Sequence, residues 1–310
     1  MMRTIIKKAV LHFRESRKPI LYATRVLELA NVMRPMKISK RNHVHVSGAV
    51  MWDHLTSFMN WGDEAVRIWK YSKNLSNNSG RLIARSFKFE LLSNLVEHQE
   101  TLAWETDISK LHGFASSKSN LTDFETLHDL VLTNSQSMIA DVSEDGLSKN
   151  LAHREIRIIN SKSTSDTFIR YAWDCRLYLI NSGGSHHLAA AKYIADQLDK
   201  RVPLKARYIE YSLNREVLKK LIFEHRIILI DDRDLELREA FVNALTKLKQ
   251  NFIEVNLSVH ICEHGKLIFL FNQYKETKTI ANLLVKRGFQ DIGALLMDQY
   301  SQQKLFQSSV

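Results

Sequence analysis

Cysteine, proline and glycine are all scarce in this chain, and each scarcity excludes something. Two cysteines, Cys175 and Cys262, cannot build a disulfide framework, and they read as free thiols in a reducing compartment. Three prolines and ten glycines leave no low-complexity tract beyond short loops, and no internal repeat emerges. Long apolar runs are missing too. A membrane-spanning helix needs roughly 20 apolar residues, whereas the longest candidates, such as LIFLF at 267–271, have strand length. Charges at Arg3, Lys7, Lys8, Arg14, Arg17 and Lys18 interrupt any signal-peptide core. A cytoplasmic protein with no membrane partner is expected. No G-x-S-x-G elbow, Walker lysine loop, G-x-G-x-x-G fingerprint or H-E-x-x-H helix occurs, so several familiar enzyme classes lose support.

What is present begins with charge. The 310 residues carry a net +10, and the location of that charge matters more than its size. Residues 1–41 hold eleven Lys or Arg against Glu15 and Glu28, so +9 sits in this arm and the rest of the chain is nearly neutral. Arg3, Lys7, Lys8, Arg14, Arg17, Lys18, Arg34, Lys37, Lys40 and Arg41 are the candidates to track the phosphates of DNA or RNA, or to meet an acidic protein partner. The alternative is a solvated basic face on two helices packed against the core. Ile5, Ile6, Ala9, Val10 and Phe13 share one helical face with Lys7 and Lys8 turned away. Pro19 breaks that helix. A second is expected over 20–33, ended by Arg34-Pro35 because the residue before proline disfavours the α region.

Three segments follow from the patterning: a basic helical arm over 1–41, a mostly helical domain over 42–150, and a mixed α/β domain over 151–310. In the second, SNNSG at 76–80 and SSKSN at 116–120 are polar interruptions. Leu121, Phe124, Leu127, Leu130 and Val131 form a core stripe, and 43–46 has the alternation of a short strand. After residue 150 short apolar runs alternate with amphipathic helices. Strands are expected over 155–160, 204–211, 227–231, 252–259 and 267–272, with a hairpin over 168–180 turning near Asp174-Cys175. Helices are expected over 185–198, 214–223 and 235–249, with one or two more at the end. The fold class is α/β, and two hairpins among short strands favour a mixed sheet over a doubly wound one.

The segment most suited to chemistry is NSGGSHHLAAA at 181–191. Gly183-Gly184 is the single adjacent glycine pair and falls between an expected strand and an expected helix. Glycines there permit positive φ and close approach of a ligand. Ser185 is expected to cap the helix, placing His186 and His187 in a first turn whose free N–H groups and dipole favour an anion. That dipole disfavours protonated histidine in the empty site, whereas a bound phosphate favours it, so binding should couple to proton uptake. The competing reading is a plain strand-to-helix turn with solvent-facing histidines.

The order strand, glycine, histidine-rich tetrad and alanine-rich helix resembles the ParB and sulfiredoxin-like superfamily, whose members bind a nucleotide phosphate at a G-x-x-R or G-C-H-R turn. The tetrad here is Gly184-Ser185-His186-His187, followed by Ala189, Ala190 and Ala191. The resemblance implies that fold for the α/β domain and a nucleotide as ligand, with His186 matching the family histidine. His187 stands where the superfamily has arginine, which removes a permanent charge and a bidentate fork, and the tetrad has no cysteine. The longer run WDCRLYLINSGGSHHLAAAKYIA is similar to an uncharacterised bacterial and phage family with a W-D-G-R turn before G-G-S-H-H, which implies no activity.

Trp173, Asp174 and Arg176 precede this loop. If the strands bring them back to it, Arg176 could clamp a phosphate, Asp174 could join the chemistry, and Trp173 could stack on a base. The alternative is a core tryptophan with an Asp turn and a surface arginine. Asp231 and Asp232 follow an expected strand, where α/β proteins often hold magnesium, though such acids more often cap the next helix. His260, Cys262 and His264 alternate, and on a strand would share a face that could begin a zinc site. The favoured reading there is a buried thiol between polar neighbours.

Two functions follow as expectations. In one, the chain is a nucleotide- or phosphoester-binding enzyme or effector, with Gly183, Gly184 and Ser185 on the ligand and His186 or His187 moving a proton. In the other, it binds nucleic acid or a partner through its basic arm without catalysis. A basic localising arm joined to a phosphoester-attacking site is also a common plan of bacterial toxins and phage-defence effectors.

Overall fold

The computed structural model describes residues 18–30, 35–55, 66–73, 80–161 and 163–307. Helix α1 (Pro19–Leu29) is followed by strands β1 (Val66–Lys73) and β2 (Gly80–Ser86), the single turn α2 (Glu90–Ser93), and strands β3 (Val96–Asp107) and β4 (Leu111–Phe114). Helices α3 (Leu127–Asn134) and α4 (Glu144–Leu151) and the turn α5 (Arg157–Asn160) lead to strands β5 (Thr167–Tyr171) and β6 (Leu177–Ile180). Then come α6 (Ser185–Leu198), β7 (Pro203–Leu213), α7 (Arg215–Glu224), β8 (His225–Asp231), α8 (Leu235–Leu248), β9 (Phe252–Asn256) and β10 (Gly265–Phe271). Helices α9 (Lys275–Lys286) and α10 (Ile292–Gln307) close the series. Among the described residues no helix is long and apolar enough to cross a membrane.

The chain forms two compact units that interleave in sequence: Met1–Ile38 with Trp52–Leu95 and Asn214–Asp298, and Ser39–Met51 with Val96–Leu213 and Gln299–Val310. The first unit contains an antiparallel sheet in the order β2-β1-β9-β10-β8. Its core gathers Ile228, Phe241, Leu245, Phe252, Ile268 and Ile280, and Trp69 stacks on Phe252 with centroids 5.5 Å apart. The second unit contains a mixed sheet in the order β3-β7-β5-β6-β4, parallel at β7/β5 and β6/β4 and antiparallel at β3/β7 and β5/β6. Its core includes Leu130, Phe168, Leu179, Leu188 and Ile194. Ala189, Ala190 and Ala191 are fully buried, and their small side chains let α6 sit close against its neighbours α3 and α4.

The α/β class and the mixed sheet are as expected, with β5–β6 and β9–β10 as the two hairpins. Several local expectations need correction. Residues 42–150 are not mostly helical: four strands occur there. β3 shows why the pattern misled, since VEHQETLAWETD is exposed continuously from 97 to 103. It is an edge strand held by its backbone ladder to β7, with Trp104 packed on the core, and a strand with so little buried side chain carries no apolar alternation. The boundaries at 41 and 150 do not coincide with the compact units, because unit membership is set by pairing across distant segments such as β1 with β9. The strand expected over 155–160 is the helical turn α5, in which the Asn160 side chain donates to the carbonyls of Leu151 and His153 at 2.8 and 3.0 Å. The short strand at 43–46 reduces to a single bridge from His45 to Phe114 before a 3-10 turn over Val46–Gly48.

Candidate anion-binding cleft

The hairpin β5–β6 delivers the chain to Asn181, which is buried. Its Oδ1 accepts from the Ser116 N–H at 3.1 Å, and its Nδ2 donates to the carbonyls of Ser116 and Gly183, both at 3.0 Å. One side chain thus fastens the loop 115–119 to the glycine loop. The Ser182 N–H and hydroxyl donate to Asp166 Oδ1 at 3.3 and 3.2 Å, and Arg157 Nη1 donates to Ser182 Oγ at 2.7 Å.

Gly184 stands at the start of α6 with φ 71° and ψ 9°. A Cβ there would lie 2.6 Å from the Glu155 carbonyl oxygen, whereas at Gly183 the nearest atoms would be 3.5 Å away. The expected role of Ser185 as cap is corrected: Gly184 occupies the cap, no side chain caps the helix, and Ser185 Oγ instead donates to Ser117 Oγ at 2.9 Å. A left-handed residue was needed to turn the chain under Glu155, and that places serine one position inside the helix. First-turn N–H groups have no intrahelical acceptor, so those of α6 open uncapped into a cleft of about 690 Å³. The loops 116–119, 153–157 and 182–187 line it, together with Asn134 and Met138.

Its permanent cations are Lys118 and Arg157, and Glu155 is the acid among the lining residues. The histidines differ. His186 has both ring nitrogens against hydroxyls, Nδ1 to Ser135 Oγ at 2.6 Å and Nε2 to Ser119 Oγ at 3.1 Å. His187 Nδ1 lies 3.1 Å from Asn150 Oδ1. Asn150 Nδ2 donates to the carbonyls of Met138 and Gly146 at 2.8 and 3.0 Å, which identifies Oδ1 as the acceptor. His187 therefore carries its proton on Nδ1 and presents the Nε2 lone pair. The His153 ring stacks on it with centroids 3.7 Å apart. Burial, then Lys118, holds His186 below the usual imidazole range. Burial, then His153, does the same for His187, against an opposing pull from Glu155.

Trp173, Asp174 and Arg176 do not return to this cleft. They form the turn at the opposite end of β6, and four residues of strand span about 13 Å. Trp173 is 1% exposed and donates Nε1–H to the Val50 carbonyl at 2.9 Å, so no ring face is open to a base. Arg176 chelates Asp174 through Nε and Nη2 at 2.6 and 2.8 Å. Its Nη1 donates to the carbonyls of Arg41 and His43 at 3.1 and 3.2 Å. That guanidinium clamps chain rather than phosphate, and it borders a separate cleft of about 450 Å³ with His43, His112 and His128.

Asp231 is bound by Arg233, with Nη2 at 2.7 Å, and Asp232 by Lys266 Nζ at 2.6 Å. The strand premise for His260, Cys262 and His264 fails, because β9 ends at Asn256 and residues 259–264 form the turn into β10. Cys262 is half-buried. Among the described residues no three His, Cys, Asp or Glu converge as a metal would require. Of the basic arm, Arg3, Lys7, Lys8, Arg14, Arg17 and Arg34 lie outside the described residues. Lys37, Lys40 and Arg41 are exposed, and Lys40 Nζ donates to the Asp174 carbonyl at 3.3 Å.

Sequence reasoning missed Lys118, Ser119, Ser135, Asn150, His153 and Arg157. The signal for them is SSKSN, three serines around a lysine, which by pattern alone reads as a polar interruption.

The chain belongs to a family of unknown function, DUF6685, whose model matches residues 101–308. Every residue lining the cleft falls inside that span. No curated protein and no solved structure matches the chain. Membership of an uncharacterised family is as expected, while the likeness to the ParB and sulfiredoxin-like superfamily rests on the tetrad alone.

Proposed function

We propose that this member of the DUF6685 family binds a phosphate ester, with nucleotides as the leading class, at the start of α6, and that the site carries out phosphoester chemistry. The observation behind this is one convergence: the uncapped first turn of α6 opens into a cleft that also holds Lys118, Arg157 and two histidines. Backbone N–H groups and the helix dipole favour a phosphate there, and two fixed cations supply the charge that His187 lacks in place of arginine. A volume of about 690 Å³ suits a nucleotide-sized ligand. His187, its tautomer held by Asn150, can take or give a proton at Nε2 near neutral pH. Magnesium held by the substrate phosphates, as such sites often use it, belongs to this reading as a cofactor, with Glu155 as the acid at hand.

Thermal shift against inorganic phosphate and a nucleotide panel, with and without magnesium, tests the proposal. A rise in melting temperature that disappears in a Lys118→Ala/Arg157→Ala double variant is expected. No shift with any phosphate compound would sink it.

The +9 carried by residues 1–41 favours a second reading, binding of DNA or RNA through that arm. Affinity should then fall steeply with salt and vanish when 1–41 are deleted; salt-insensitive binding by the shortened chain speaks against it.

A further inference from the structure

The cleft contains a hydroxyl that phosphate binding leaves unused. Ser119 lines it, 3.1 Å from His186 Nε2. Its Oγ also accepts from Asn134 Nδ2 at 2.8 Å, which leaves the hydroxyl hydrogen able to point at Nε2 in one of the two imidazole tautomers. In that tautomer the imidazole proton sits on Nδ1 and is donated to Ser135 Oγ at 2.6 Å. Ser135 is 2% exposed, so the ring is held from a dry side while Ser119 faces the cleft. The Ser119 N–H donates to Ser117 Oγ at 3.2 Å, and Ser117 Oγ accepts from Ser185 Oγ at 2.9 Å, which fastens this loop to the first residue of α6. The order is that of an activated nucleophile: a hydroxyl, a base with a free lone pair, and a group that orients the base. The uncapped amides of α6 stand beside it as donors for developing negative charge.

We infer that Ser119 is a nucleophile that attacks the phosphorus of the bound ester, with His186 as its general base; this rests on the phosphate-ester reading of the cleft. The Ser119 Oγ–P bond forms as its proton passes to His186 Nε2. The P–O bond to the leaving alcohol breaks, and the departing oxygen takes that proton from His186. Water then attacks the phosphoseryl phosphorus, giving its proton to His186, and the released Ser119 oxygen recovers it. Water is the one co-reactant.

The test uses an alkyl fluorophosphonate on the full chain, from which an activated serine displaces fluoride. One adduct per chain is expected, mapped by mass spectrometry to Ser119 and absent in Ser119→Ala. In His186→Gln, labelling should slow by about 100-fold or more, the scale of a lost general base. A control independent of that variant's folding is the pH profile of wild-type labelling, which should rise to a plateau with a midpoint below 6.5, because burial and Lys118 disfavour the imidazolium. The other charged or titratable groups around the cleft are Arg157, Glu155, His153 and His187. Ser135 is a positioning residue: Ser135→Ala should move that midpoint to lower pH, since a hydroxyl accepting from Nδ1–H favours the charged ring. An unchanged midpoint removes Ser135 from the mechanism. No adduct, an adduct at another residue, or undiminished labelling in Ser119→Ala overturns the role of Ser119, even where phosphate still raises the melting temperature. Labelling at Ser119 with no phosphate shift instead overturns the phosphate reading, and with it phosphorus as the electrophile.

Discussion

At the scale of single residues, the two adjacent glycines answer to different constraints. Gly184 combines φ 71° with the Glu155 carbonyl 2.6 Å from where a Cβ would sit, and neither can be relieved without moving α5 or α6. Gly184→Ala should cost more than about 2 kcal/mol, the left-handed penalty of about 1–2 kcal/mol plus the displaced contact. Gly183→Ala, with ordinary spacing of 3.5 Å, should stay within about 1 kcal/mol. Urea denaturation of both variants measures the contrast, and equal losses would contradict it. Cys175 poses the reverse case, a non-glycine at φ 68°. Cys175→Gly should stabilise the fold by about 0.5–1 kcal/mol, left-handed strain relieved less the entropy glycine adds to the unfolded chain. A destabilised variant would mean that the Sγ–H bond to the Ala172 carbonyl at 3.5 Å outweighs the strain.

At the scale of elements, α3 shows how local chemistry supports the site. Its start is a reciprocal cap in which Thr126 accepts from the Asp129 N–H and Asp129 accepts from the Thr126 N–H. Its end presents Asn134 and Ser135, which bond Ser119 and His186. Thr126→Ala should cost about 1 kcal/mol in chemical denaturation. Because the frayed helix loosens both site contacts, fluorophosphonate labelling of Ser119 should also slow; full-rate labelling would separate the cap from the site. The bounds of α6 were legible, and so was the core stripe from Leu121 to Val131, although its helix begins only at Leu127 after a 3-10 turn and an extended Phe124. β3 was not, because an edge strand exposed from 97 to 103 is specified by its partner β7 more than by its own side chains.

At the scale of the whole molecule, burial acts on histidines with one sign. His43, His54, His112, His186, His187 and His225 are all held below 6.5, with burial the leading cause for each. The unfolded chain, with ordinary pKa values, binds more protons than the native one around pH 6, so stability is complete above about 6.5 and falls as pH drops through that range. Asp53, pushed up to about 6 by burial, acts in the opposite direction below that pH and blunts the loss. The melting temperature should therefore decline from pH 7 to pH 5. Phosphate should reduce the decline, because a bound anion favours protonated His186 and His187; an equal decline with and without phosphate would detach these histidines from the anion site.

The sequence by itself determined the alternation of strands and helices after residue 166, the hairpin over β5 and β6, and the glycine turn into α6. These depend on turn chemistry and periodicity among residues a few positions apart, which any reader of the chain can see. Tertiary structure alone decided that two compact units interleave, that Arg176 bonds the chain at 41–43, and that Lys118 and Arg157 are the cations lining the cleft. It also decided which nitrogen of His187 is free, since Asn150 lies 37 residues away in sequence. Distance along the chain carries no information about which loops a packed core will bring together, and NSGGSHHLAAA, however suggestive, holds only one wall of its own cleft.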